Sequence, residues 1–311
     1  MTKKLVTLIA LAIAAIIAVV LYVPNRTNTS GTPAAKSTKP DTAPKPAETA
    51  TAAAPPPAPA KPAKVTYESA TDLKAYIAQL EASGAKPADV ALARARAIED
   101  CMNFSRMPNF AYDTAKAMQA QVAAGGLRNA DPTVLTNYAK ISTDRCTSFA
   151  ADGPRKMAEA KQLYDEAAQG GSSQAQAHVL NGQLMFPGSK PPTADVVSKI
   201  NDLIATQDAS AILELSNLFG VNSKFTGPYV GTEKAAAAWQ LVACDLGLDC
   251  SEGSALMVGY CLNGGMYCGP GDLRNNMSHS GFSPATFEEI TELERAIYSN
   301  LKNPTGSFIR I

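Results

Sequence analysis

Histidine is nearly absent from this chain: two residues, His178 and His279, in 311. Aromatic residues make up only 6%, with a single tryptophan, and 28 basic residues are balanced by 28 acidic ones. These scarcities exclude a good deal. Zero formal charge gives no general pull toward nucleic acid or anionic lipid. No His-Glu-x-x-His, Gly-x-Ser-x-Gly or phosphate-loop motif occurs. No run alternates apolar and polar residues long enough to make a sheet, while alanine, the strongest helix former, dominates. The fold class expected is therefore all-α.

What the chain does have begins at its N-terminus. Lys3 and Lys4 precede nineteen residues, Leu5 to Val23, without a charge, proline or glycine. As a helix this run spans about 28 Å, close to a bilayer's hydrocarbon core. The lysines place the N-terminus in the cytoplasm and everything after Val23 outside it. The competing reading, a cleaved signal peptide, wants a shorter apolar core ending at a small-x-small site, and here the run ends in Leu21-Tyr22-Val23-Pro24. Residues 1–23 are thus read as a single-pass inner-membrane anchor, with the folded part periplasmic.

From Pro24 to Lys64 the chain carries ten of its 21 prolines among Ala, Thr and Lys. Such a segment cannot bury a core and should remain extended, partly as polyproline II. Residues 24–66 are read as a disordered linker, a solvated spacer whose lysines also suit contact with anionic cell-wall polymers.

Helical segments are expected near 70–83, 87–103, 110–123, 132–148, 155–169, 173–185, 194–205, 209–219, 233–246, 251–262 and 284–301. Pro87, Pro132 and Pro284 suit first turns, and Ser83, Asp131 and Ser283 suit the N-cap or the position before it. Two stretches repeat each other: LYDEAAQGG…AQAHVLNGQLMFPG from Leu163, and AWQLVACDLG…SALMVGYCLNGG from Ala238. Tyr164 and Trp239 each stand four residues before an alanine, and Gly171 and Gly247 close the first helices. A weaker copy around Ile200 lies between them, giving intervals of 36 and 39 residues. That period belongs to stacked helical pairs. Small residues let neighbouring helices approach, and one large side chain per pair fills the hollow.

The pattern resembles Sel1-like repeats, a branch of the tetratricopeptide-like helical repeats, over roughly residues 155–268. The stretch AWQLVACDLGLDC…GYCLNGG is especially similar to the secreted variety, in which each helical pair carries its own disulfide. The resemblance implies a helical-pair solenoid over 151–311, preceded by a helical capping subdomain over 67–150. It also implies a protein or peptide partner rather than a reaction.

The six cysteines admit three uses. Zinc wants close ligand pairs, but the intervals among Cys244, Cys250, Cys261 and Cys268 hold five, ten and six residues, and neither histidine is placed to help. A redox site wants Cys-x-x-Cys beside a strand, and there is none. An even count behind an export signal favours disulfides. Pairs 244–250 and 261–268, each joining a helix end to its following connection, are the first choice, leaving Cys101 with Cys146. Fifteen pairings remain open.

No metal, cofactor or catalytic residue is assigned. Gly264–Asp272 follows a helix rather than a strand and reads as a knotted turn; Ser299-x-x-Lys302 is a chance spacing. Glu288, Glu289, Glu292 and Glu294 read as a solvated face near a helix start. His178 reads as a packing or surface residue, and His279 as the one histidine in a polar loop. The function expected is an envelope-anchored, non-catalytic scaffold for a protein or peptide. The alternative is a cell-wall hydrolase using an acid such as Glu288 or Glu292; it would need a deep cleft with converging acids or a partnered histidine. On the first helices of the pairs, Ala235, Trp239, Val242, Ala243 and Leu246, with Leu163, Tyr164 and Ala167, should pack inward. Lys161, Gln162, Asp165, Lys234 and Gln240, with Ala237, should face out toward a partner.

A phosphatase reporter active only outside the cytoplasm, fused after Ile311, is expected to work and to fractionate with membranes. Activity from a cytoplasm-specific reporter alone would overturn the orientation, and release into the soluble exported fraction would overturn the anchor.

Overall fold

The computed structural model describes residues 65–311 apart from 128, 154–155, 186–189 and 305. The anchor expected over 1–23 and nearly all of the linker lie outside the described residues. Among the described residues there are twelve α-helices and no strand, with one isolated antiparallel bridge between Thr226 and Arg310. No helix among them is long and apolar enough to cross a membrane.

The first four helices are α1 (Leu73–Ala82), α2 (Pro87–Cys101), α3 (Phe110–Ala123) and α4 (Pro132–Ala150). Next come α5 (Met157–Gln169), α6 (Ser173–Met185), α7 (Ala194–Ala205) and α8 (Ala209–Ser216), the last extended by a tight turn over Asn217–Phe219. The set closes with α9 (Glu233–Asp245), α10 (Ala255–Gly264), α11 (Leu273–Asn276) and α12 (Pro284–Lys302). A single π-turn, Met277–Gly281, follows α11, so His279 stands in helical backbone rather than in the polar loop expected.

Helix starts follow local chemistry. Asp131 and Ser283 are N-caps whose side-chain oxygens accept backbone N–H groups, as do Asp72, Thr193, Asp208, Thr232, Ser254 and Asp272. Ser83 is a correction. It caps the end of α1, and its hydroxyl donates to Leu80 O, while α2 begins after Lys86 with no side-chain cap.

Several helices end on a residue in the left-handed conformation. Gly171 and Gly247, after α5 and α9, adopt left-handed φ of 90° and 104°, and each N–H donates to the carbonyl three residues back. After α7 the same position is Gln207, at φ 54°. A glutamine tolerates this strained conformation because its side chain is tied at both ends. Its Nε2 donates to Leu301 O at 3.1 Å, and its Oε1 accepts from Lys302 Nζ at 2.8 Å. The middle turn is thereby clamped to the end of α12.

Packing does not run strictly from each helix to the next. The closest-packed pair is α2 with α5, α4 gathers α1, α2, α3 and α10, and α9 packs on α8 and α12. Helices on either side of residue 150 thus share one continuous core. Trp239 is fully buried, lies against Phe219 and Phe308, and donates from Nε1 to Tyr229 O at 2.9 Å. The C-terminal residues seal that end: Asn201 Oδ1 accepts from Phe308 N at 2.9 Å, and Thr226 pairs with Arg310. On α9 the inward set is wider than expected. Ala237 is buried, with Ala238 and Leu241, whereas Leu246 is only half-buried.

All six cysteines are paired, Cys101–Cys146, Cys244–Cys250 and Cys261–Cys268. On the chain-entropy estimate, closing a loop of some 46 residues contributes about 4 kcal/mol and each short loop roughly 2.4. The turn after Cys268 is organised by buried Asn276, whose amide donates to the carbonyls of Gly269 and Gly271 at 3.1 Å and accepts from Gly269 N at 2.9 Å.

Trp239→Ala is expected to cost about 3–5 kcal/mol as a core truncation. Thermal melting checks this, and an unchanged melting temperature would show that the indole is not a core element.

Candidate functional site

A cleft of about 710 Å³ opens between α5 and α6 and reaches down to α2 and α8. Its walls follow helical periodicity. Met157, Ala158, Lys161, Tyr164 and Asp165 line it from one face of α5; His178, Gly182 and Met185 line it from one face of α6. Glu99 of α2 and Glu214 of α8 form the floor. Met157 and Met185 are exposed at the rim, 46% and 56% respectively, so the walls are apolar around a charged base.

Beneath the cleft, α2 and α5 pack through small side chains. Ala88, Ala91 and Ala95 on α2 face Tyr164 and Ala167 on α5, and Ala175 on α6 completes the seam. A Cβ on Gly170 would lie 2.6 Å from Ala88 Cβ, so the residue there must be glycine. Tyr164 fills the remaining hollow and carries its hydroxyl to Glu99 Oε2, 2.6 Å away.

His178 stacks flat on Tyr164, with ring centroids 3.6 Å apart and planes 11° from parallel. Its Nε2 is 3.6 Å from Glu99 Oε1 and its Nδ1 3.5 Å from Glu214 Oε2. Burial opposes a charge on this ring, but Glu214 and then Glu99 outweigh it, and the imidazole pKa is raised. Burial pushes the Glu99 carboxyl upward against the opposing effects of Tyr164 and His178. It pushes the Tyr164 phenol far above its ordinary value, reinforced by Glu99. A carboxyl group on each side thus favours the protonated form of the ring.

Comparison with protein-family models, with curated proteins and with solved structures returned no match. The site must be read from its own chemistry.

The residues expected to face a partner divide between locations. Lys161 and Asp165 lie at the mouth of the cleft and pair with each other at 2.6 Å. Gln162 is exposed on the same helix, donating to Glu166 at 2.8 Å. Lys234 is ion-paired with Glu289 of α12, and Gln240 is half-buried on α9; neither lines this cleft. Glu288 and Glu292 are exposed and also stand apart from it. Glu294 departs from the solvated face expected for its cluster: it is buried and ion-paired with Arg274. His279 is exposed, with Nδ1 2.8 Å from Asn275 O.

Sequence reading missed the cluster at the base of the cleft and took its histidine for a packing or surface residue. Glu99 is 65 residues from Tyr164, and Glu214 belongs to the weakest repeat copy, so no short motif joins them. The only local signal was the spacing of His178, Gly182 and Met185 on one helical face.

His178 yields a pH signature. Its folded pKa lies above the ordinary 6.5, so its contribution to stability is complete below that value and is lost as pH rises through the folded value. Glu99, raised from 4.5, acts with the same sign at lower pH. The melting temperature should fall as pH rises above about 6.5, and His178→Gln should flatten that fall. A melting temperature that rises over this range, or a slope unaltered in the variant, would contradict the ion-pair geometry.

Proposed function

We propose that this chain is a membrane-tethered, extracytoplasmic helical-repeat module that binds a protein or peptide partner in the cleft between α5 and α6. In this reading Leu5 to Val23 anchors the chain, the proline-rich segment spaces the domain from the bilayer, and the helical pairs are Sel1-like. Three disulfides suit an oxidising compartment.

The observation that carries the proposal is the cleft itself: apolar, methionine-rimmed walls around a fixed charged floor. Unbranched methionine adapts its shape to a ligand, and a few placed polar groups select it. A second reading, acid–base hydrolysis, is favoured by the same histidine between two carboxylates. With a carboxyl group flanking the ring on each side and favouring its protonated form, binding accounts better for the cluster than proton abstraction does.

A photo-crosslinking residue at Met185, compared in intact cells with one at exposed Met107 outside the cleft, tests the reading. One discrete adduct from position 185, absent from 107 and weakened by His178→Gln, is expected. Adducts of equal yield from both positions, or none from 185, would overturn it. A small product released by the wild type but not by His178→Gln would favour the hydrolase.

A further inference from the structure

The floor of the cleft has more acceptors than the protein fills. Glu99 Oε2 takes the Tyr164 hydroxyl, and Glu99 Oε1 and Glu214 Oε2 share one imidazolium at 3.5–3.6 Å. Among the described residues Glu214 Oε1 has no donor, and its side chain is 22% exposed at the cleft wall. Two carboxyl groups face a single imidazole, so the floor holds more acidic than basic groups. Lys161 is no counter-ion to them, because it is engaged with Asp165 at the mouth. Above this floor stand Met157, Val179 and Met185, whose apolar surfaces suit a chain of methylenes ending in charge.

We infer that the cleft recognises a basic side chain, lysine or arginine, presented by a polypeptide, with its stem between the methionines and its cationic head on Glu214. This rests on the cleft being the binding site and adds the chemistry of its ligand. The size supports a polypeptide source. A cavity of about 710 Å³ exceeds one side chain, leaving room for the neighbouring residues of a peptide.

The charges around His178 fix the sign of the pH effect. The groups facing it are Glu99 from α2, Tyr164 from α5 and Glu214 from α8, with the Lys161–Asp165 pair at the mouth. Raising the pH removes the imidazolium proton and ionises Glu99, and both changes make the floor more negative. Cation binding therefore releases protons, and affinity rises with pH while the stability of the free protein falls. A merely structural cluster has no reason to show the first of these trends.

The test uses the full chain in lipid nanodiscs and capped pentapeptides Ala-Leu-Xaa-Leu-Ala, with Xaa lysine, arginine, norleucine or glutamate. Calorimetry gives affinity at pH 6 and pH 8. Imidazole NMR gives location, since the chain has only two histidines and a His279→Asn variant assigns them. The lysine and arginine peptides are expected to bind at least about tenfold more tightly than norleucine, to bind more tightly at pH 8, and to shift the His178 signals. Glu214→Gln should abolish that preference while a cooperative melt is retained, whereas Lys234→Gln, outside the cleft, should not alter it. If norleucine or glutamate binds as well and still shifts His178, the cationic chemistry is wrong while the cleft remains the site. If no peptide shifts His178, both are wrong. If free butylamine binds as tightly as the peptides, the polypeptide source is wrong.

Discussion

The close approach of α2 and α5 is the constraint on which the rest of the molecule depends. Alanines along one helix and Gly170 at the end of the other keep side-chain bulk out of the seam. The seam leaves one hollow, which Tyr164 fills, and the tyrosine in turn supports His178 and reaches Glu99. Two residues beyond Glu99, Cys101 ties the end of α2 to Cys146 on α4. The neighbouring Arg145, itself buried, donates to the carbonyls of Tyr67 and Ala70 and pins the segment preceding α1. A carboxylate at the base of the cleft is thus held by a cross-link, a small-residue seam and a buried guanidinium, none of which touches a ligand.

The electrostatics of the cleft carry an internal opposition. Burial of the ring opposes its charge, while the two carboxyl groups beside it favour that charge and prevail. Stacking on Tyr164 supplies a flat apolar support that fixes the ring's plane without consuming either nitrogen. Elsewhere the domain resolves its buried charge more simply. Glu294 meets Arg274, which also reaches Asp245, and joins α9, α11 and α12 without lining the cleft.

Much of this architecture is legible in the sequence because it is set locally. Asp131 with Pro132 and Ser283 with Pro284 begin helices by satisfying backbone donors within one turn, and Gly171 and Gly247 end them by adopting a conformation other residues resist. The cysteine pairs 244–250 and 261–268 join neighbours in the chain. What sequence reading missed depends on distant partners. Gln207 occupies a glycine's place because α12 holds its side chain from 94 residues away. Ala237 is buried because α9 is covered on several sides, which a stack packed only on successive neighbours does not predict. Glu99, His178 and Glu214 are three ordinary polar residues until α2, α6 and α8 bring them together.

The disulfides, finally, link the first cysteine to the second, the third to the fourth and the fifth to the sixth. A chain delivered N-terminus first into an oxidant meets its cysteines in that same order. Joining each unpaired thiol to the next one that emerges then yields the native set directly, one of the fifteen arrangements available. Cys101 alone has a long wait, until Cys146 follows 45 residues later, and α3 and most of α4 emerge between them. For a chain delivered that way, the order of the cysteines matches the connectivity, and pairing in order reaches it without reshuffling.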